Sequence, residues 1–122
     1  MKANCVSPIF HVSDLCAAID FYHVKLGFDK EFVYGKPPYY AGVKLGDVIL
    51  HLNQGDEGKT RRGQGTAYVF CDSVDEYYRE IEGRGTEITS KLNAWPYGMR
   101  DFQIADPDGN RVCFGCPVDC ED

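Results

Sequence analysis

Pro8-Ile9-Phe10-His11-Val12-Ser13-Asp14-Leu15 and Ala67-Tyr68-Val69-Phe70-Cys71-Asp72-Ser73-Val74-Asp75 read as one passage written twice. Each is an apolar stretch of strand-forming residues that runs into a helix-capping Ser/Asp pair and then into an amphipathic segment. Each copy also closes on a hairpin, Leu45-Gly46-Asp47-Val48-Ile49-Leu50 in the first and Asp108-Gly109-Asn110-Arg111-Val112-Cys113 in the second. With alternating strands and only two helices, the pattern predicts an α+β chain of two tandem βαβββ modules forming a cup-shaped mixed sheet around a ligand.

Working outward from the first copy, residues 5 to 12 read as a strand. Ser13 or Asp14 caps a helix that carries Leu15, Ala18, Ile19, Tyr22 and Leu26 on one face, and Gly27 ends it. A strand near Phe28 to Tyr34 follows, then a turn at Gly35-Lys36-Pro37-Pro38. Arms from Tyr39 to Leu45 and Val48 to Asn53 then flank Gly46-Asp47. Residues 54 to 65 carry four glycines and no large apolar side chain, so they read as a flexible connection, with Arg61 and Arg62 as solvated charges.

The second module repeats the plan. A strand from Thr66 to Cys71 leads to a helix with Val74, Tyr77, Tyr78 and Ile81 on its apolar face, then a short strand, a long strand from about Tyr97 to Ala105 and a last one from Asn110 to Gly115. The domain organisation is therefore a single domain over residues 1–118, with module one at 4–53, a Gly-rich linker at 54–65, module two at 66–116 and a tail at 117–122. Phe32 and Phe70 are expected in the core.

The chain has 122 residues, 43% of them apolar and 26% charged, which suits one compact domain with an ordinary core. It has no apolar run of membrane-spanning length and no long apolar leader at Met1-Lys2-Ala3-Asn4-Cys5, so a cytoplasmic protein without a membrane partner is expected. A net charge of −6 with dispersed Lys and Arg argues against nucleic acid and suits a cationic ligand, although such acidity also serves solubility alone. Cys5, Cys16, Cys71 and Cys113 fall in expected strands or helices and read as reduced thiols. The run Cys113-Phe114-Gly115-Cys116-Pro117-Val118-Asp119-Cys120 lacks a second pair and a nearby His, and alternation puts Cys113 and Cys116 on opposite faces. A dedicated metal site is therefore not expected there; Cys120 is the thiol most open to oxidation.

Val-x-Asp-Leu at 12–15, Phe21-Tyr22, Leu26-Gly27-Phe28 and Asp106-Pro107-Asp108-Gly109-Asn110, in that order, resemble the vicinal oxygen chelate superfamily. Its members include glyoxalases, extradiol dioxygenases, and fosfomycin- and bleomycin-resistance proteins. The resemblance covers nearly the whole chain and implies the glyoxalase/bleomycin-resistance-like fold. In its metal-dependent members, four strand positions supply His, Gln or Glu to a divalent ion. The matching positions here are Ser7, Leu50, Thr66 and Cys113, a donor set that suits no divalent metal. Neither a metal nor another cofactor is therefore expected, unless the register is off by one and His51 replaces Leu50.

A cavity kept without its metal is similar to the bleomycin-resistance branch. That resemblance implies a homodimer that sequesters a small molecule, cationic or aromatic, without changing it. Tyr34, Tyr39, Tyr40, Trp95, Tyr97 and Phe102 supply rings outside the helices. Contacts are expected to concentrate in Asn93-Ala94-Trp95-Pro96-Tyr97-Gly98-Met99-Arg100-Asp101-Phe102. The candidate ligand-binding residues are Trp95, Tyr97, Arg100, Phe102, Tyr39, His51, Ser7, Thr66 and Cys113, and none is assigned as catalytic. Arg100 has as its alternative an ion pair with Asp101 or Asp106. The competing reading is a metal-dependent glyoxalase, dioxygenase or transferase-like enzyme, or a metal-free one with Cys113 as nucleophile. A third is a sensor or carrier of small metabolites.

Overall fold

The computed structural model of the protein describes residues 1–119. Its elements run β1 (Ile9–His11), α1 (Leu15–Val24), β2 (Asp29–Gly35), β3 (Pro38–Leu45), β4 (Val48–Asn53), a 3-10 helix (Asp56–Arg61), β5 (Thr66–Phe70), α2 (Val74–Gly83), β6 (Ile88–Ala94), β7 (Met99–Ala105) and β8 (Arg111–Pro117). This is the expected α+β class with two tandem βαβββ modules. The strands form two mixed four-stranded sheets, ordered β1-β4-β3-β2 and β5-β8-β7-β6. In each sheet the module's first strand runs parallel to its last, and the remaining pairs are antiparallel.

Period-two alternation gives each sheet a helix-side face and an open face. On the helix side, Phe10, Ala41, Val43, Leu50 and Leu52 of the first sheet are buried together with Leu15, Ala18 and Tyr22 of α1. Val69, Phe102, Ile104, Val112, Phe114 and Cys116 play the same part beside Val74 and Ile81 of α2. Asp14 caps α1, its carboxylate accepting from the Ala17 amide at 3.0 Å. Gly27, just past that helix, takes φ +82°, a left-handed turn that favours glycine.

Three sequence expectations change. Only Ile9–His11 of the expected first strand pairs in a sheet. The expected flexible connection holds a 3-10 helix, and its glycines serve close approach: a Cβ at Gly58 would run into the imidazole of His11. Phe32 and Phe70 lie outside the core, 37% and 73% exposed, because alternation turns both to the open faces. The expectation for Cys120 falls outside the described residues. No helix among the described residues is long and apolar enough to cross a membrane.

The modules meet through the turn between β7 and β8. Asp106, 3% exposed, receives four donors on two oxygens: the Asp108 and Asn110 amides on Oδ1 at 3.0 and 2.9 Å, and the Tyr22 hydroxyl and Asn110 Nδ2 on Oδ2, both at 3.0 Å. Tyr22 belongs to the first module, so this carboxylate spans both. Asn110 also donates to the His11 carbonyl at 3.1 Å, and Asp108 accepts from the Ser13 amide just before α1. On the helix side, the Tyr77 hydroxyl donates to the Leu26 carbonyl at 2.7 Å.

Candidate functional site

Each open face carries a cavity. The first-sheet cavity, about 1400 Å³, is lined by Phe32, Tyr34, Tyr39, Tyr40 and the acidic pair Asp56 and Glu57, among others. Its rings are ordered by mutual contact. Phe32 and Tyr40 stack with centroids 6.3 Å apart, and Tyr34 and Tyr39 lie 5.8 Å apart. Phe32 fits because it lies over Gly42, where an added Cβ would collide with the ring. His51 stands edge-on to Phe32, and its Nδ1 lies 2.9 Å from the Tyr40 hydroxyl. Burial, followed by the nearby Glu57 carboxylate, raises the Tyr40 phenol above its ordinary range.

The second-sheet cavity, about 390 Å³, is lined by Tyr68, Ser90, Trp95, Tyr97, Asp101, Gln103 and Cys113. Its centre is Asp101, 6% exposed. Asp101 Oδ2 accepts from the Tyr68 and Tyr97 hydroxyls, each at 2.7 Å. Tyr68 packs over Gly115, a position where a side chain would collide with it. Trp95 and Tyr97 stack nearly parallel, 10° apart with centroids separated by 6.4 Å. Burial and the Asp101 hydrogen bond push the Tyr68 phenol far up, and the hydrogen bond to Asp101 pushes Tyr97 up to about 12. Both therefore remain neutral donors at physiological pH. Trp95 Nε1 is buried with no hydrogen-bond partner among the described residues.

The predicted site residues divide accordingly. Trp95, Tyr97 and Cys113 come together in the smaller cavity. Tyr39 lines the larger one, and His51 stands beside it on the same open face. Ser7 precedes β1 and is half-buried, and Thr66 opens β5 and is exposed; neither lines a cavity described here. Two placements differ from expectation. Phe102 is wholly buried on the helix side, stacked 5.5 Å from Phe114 and edge-on to Tyr78, so it is a core ring. Arg100 also turns to that side, where Nε and Nη2 each donate to Asp75 of α2 at 2.7 Å, an ion pair with a residue that the sequence reading did not name.

The register decides between Leu50 and His51. Phe10 pairs with Leu52 in the first module as Val69 pairs with Phe114 in the second, both rows on the helix side. The neighbouring rows, Ile9 with His51 and Tyr68 with Cys113, are thus equivalent and face outward. Leu50 is 1% exposed, so His51 and Cys113 are the matching open-face positions. Two neutral hydroxyls, one imidazole and one thiol supply two good donors, short of the three protein ligands that a catalytic zinc site keeps. Among the described residues, no three His, Cys, Asp or Glu side chains form a group that could hold a metal. Cys113 receives a hydrogen bond from the Gln103 amide at 3.2 Å, which supplies no base to activate the thiol.

Tyr68, Gln103 and Phe32 are not singled out for the site by the sequence; Tyr40 enters only in the general ring count, and Asp101 only within the stretch 93–102 and as a partner for Arg100. Alternation held the signal: it places Tyr68 opposite Val69, and Asp101 and Gln103 opposite Phe102 and Ile104.

The chain is 28% identical over 125 residues to the bleomycin resistance protein of Geobacillus stearothermophilus, covering 88% of this chain and 92% of that one. Its structure is similar to that of the bleomycin-binding protein from bleomycin-producing Streptomyces verticillus in complex with copper(II)-bleomycin, with a TM-score of 0.78, 26% identity, and coverage of 93% and 96% of the two chains. It is similar also to TnmS3, an antibiotic binding protein from Streptomyces sp. CB03234, with a TM-score of 0.78, 27% identity, and coverage of 97% and 99%. The model of the Glyoxalase/Bleomycin resistance protein/Dioxygenase superfamily matches residues 6–114, and the chain belongs to that superfamily.

Proposed function

We propose that this protein sequesters a small cationic molecule bearing flat rings, of the antibiotic class its relatives bind, and releases it chemically unchanged. The observation that carries this reading is the Asp101 carboxylate, buried beside the stacked Trp95 and Tyr97 and fixed by two neutral phenols. A cation seated against it gains charge pairing in a partly dry site as well as attraction to ring faces. The first-sheet cavity offers further rings with Asp56 and Glu57 at its wall. This supports a ligand larger than either cavity alone. No metal or other cofactor takes part in this reading.

A homodimer belongs to the same proposal. Strands β1 and β5 are sheet edges, and Ile9, Tyr68 and Phe70 on them are 49%, 39% and 73% exposed. A second copy would cover them and bring the open face of one module towards that of another. The test is titration with bleomycin, metal-free and copper(II)-loaded, following the fluorescence of Trp95, the single Trp, with sedimentation equilibrium of the same samples. The expected outcome is a saturable change, recovery of intact drug, and affinity at least tenfold weaker in Asp101→Asn. A linear, non-saturating signal, or drug recovered as a modified product, defeats the reading.

A further inference from the structure

Cys71 and Cys116 lie on the helix side of the second sheet, away from both open-face cavities. β5 and β8 are parallel neighbours whose last paired residues are Phe70 and Gly115, and the Cys71 amide donates to the Gly115 carbonyl at 2.9 Å. One step further along the same ladder brings Cys71 beside Cys116. Alternation sets both on the helix side, each two residues past the buried pair Val69 and Phe114. Neighbouring strands stand about 4.8 Å apart, inside the roughly 4.4–6.8 Å Cα range that a disulfide spans. Cys71 is one residue past the end of β5, with its amide still held to β8.

The surroundings favour thiol chemistry. On the other flank of Cys116, β7 places Arg100 directly opposite it, with the guanidinium on the same side of the sheet and bound to Asp75 in the first turn of α2. Cys71 stands three residues before Val74, the start of α2. The helix N-terminus favours a thiolate at Cys71, and the guanidinium, shared with Asp75, lies beside Cys116; Asp47, Asp72, Glu76 and Glu80 at the wall of the cavity that Cys71 lines act the other way. Cys116 is 2% exposed, whereas Cys71 is half-buried and lines a separate cavity of about 640 Å³ between the β3–β4 hairpin and the start of α2. One sulfur is therefore open to a small oxidant, and the second is held behind it.

We propose that Cys71 and Cys116 form a redox-active dithiol, with Cys71 attacking a hydroperoxide and Cys116 resolving the product to a disulfide. The Cys71 thiolate sulfur bonds to the distal peroxide oxygen as the O–O bond breaks, giving a sulfenic acid and the leaving hydroxide or alkoxide, which takes up a proton. The Cys116 sulfur then attacks the sulfenic sulfur, the S–O bond breaks, and the hydroxyl leaves as water with the Cys116 proton. With hydrogen peroxide, the two thiols lose two electrons and two protons in all, and the peroxide becomes two waters. The disulfide fastens the end of β5 to β8 at the position that pairs with Arg100 on β7. The proposal is independent of what the open faces bind.

The test treats the full-length, fully reduced chain with stoichiometric hydrogen peroxide, blocks remaining thiols by alkylation, and maps the linkage by mass spectrometry after digestion with trypsin. Fragmentation between Phe114 and Gly115, and again at Val118, separates Cys113, Cys116 and Cys120. The expected result is loss of two hydrogens per chain and a Cys71–Cys116 linked peptide, reversed by dithiothreitol. That peptide persists in Cys113→Ser and Cys120→Ser and disappears in Cys116→Ser, where Cys71 stops at the sulfenic acid or is over-oxidised. Linkage of Cys71 to Cys113 or Cys120, over-oxidation of Cys71 in the wild type, or unchanged thiols overturns the proposal. Because fragmentation of the wild-type peptide answers the question directly, a poorly folding Cys116→Ser does not shelter it.

Discussion

At Asp101, one carboxylate oxygen serves two phenols, and this sets the charge state of the whole smaller cavity. The phenols stay protonated because losing a proton would put a second negative charge beside the carboxylate. In Asp101→Asn that repulsion and the accepting charge both go. The phenolate absorbance of Tyr97 should then appear nearer the ordinary value of 10 than the wild-type value of about 12. An alkaline titration comparing Asp101→Asn with Asp101→Asn/Tyr97→Phe isolates the step. An unchanged midpoint would mean that the carboxylate does not control the phenol. Asp101 was hard to find because it sits in Arg100-Asp101-Phe102, where a charged pair next to an aromatic ring suggests an Arg-Asp bridge. The backbone instead sends Arg100 and Phe102 to one side and Asp101 to the other. The single Trp and Tyr97 were legible because rings on a Pro- and Gly-containing loop have few core positions to fill.

Helix α2 starts in an unusual way. Ser73, its N-cap residue, has φ +49° and makes no side-chain capping bond, so it bears a left-handed backbone without the usual return for a cap. Ser73→Gly relieves that strain and loses no hydrogen bond. It should raise stability by about 0.5–1 kcal/mol, a few degrees in thermal midpoint by circular dichroism; a fall of similar size would show that Ser73 contributes a bond that this geometry lacks. The two helices and the hairpins were legible from capping residues, apolar spacing and turn dipeptides, since these signals are local. The 3-10 helix at Asp56–Arg61 was not. Its glycines carry the same letters whether the chain is loose or pressed against a neighbour, and only the fold shows His11 lying on Gly58. The same holds for Phe32 and Phe70, large apolar rings that the strand phase turns outward.

Across the whole molecule, Asp106-Pro107-Asp108-Gly109-Asn110 does more than reverse the chain. It reads as a common turn, yet its side chains reach back to Tyr22, Ser13 and the His11 carbonyl in the other module. Asp106→Ala should cost about 3 kcal/mol in urea denaturation, because four donors lose their acceptor at a buried site. Asp106→Asn should also destabilise, since its amide nitrogen would meet donors. Burial raises the Asp106 carboxyl above its ordinary 3.8, with the Asn110 and Tyr22 bonds offsetting part of the rise. Its folded form therefore binds the proton more tightly than the unfolded form. The contribution of this group to stability is fully present below about pH 3.8 and declines as pH rises through the higher folded value. In Asp106→Ala that decline should be absent from the variant's own pH profile and therefore appear in the difference between wild type and variant.

The strand order has a consequence for how the chain comes together during synthesis. In the first module β4, the last strand made, takes the place between β1 and β3, so that sheet has all its members once Asn53 is available. In the second module β8 fills the matching place between β5 and β7, and the turn that clasps the two modules is made just ahead of it. Everything the second half needs in order to close, its central strand as well as its hold on the first half, thus arrives in one short stretch after Ala105. A nascent chain stopped before that stretch carries a finished first sheet beside an open second one, with Val69, Phe102 and Ile104 still waiting for the strand that covers them.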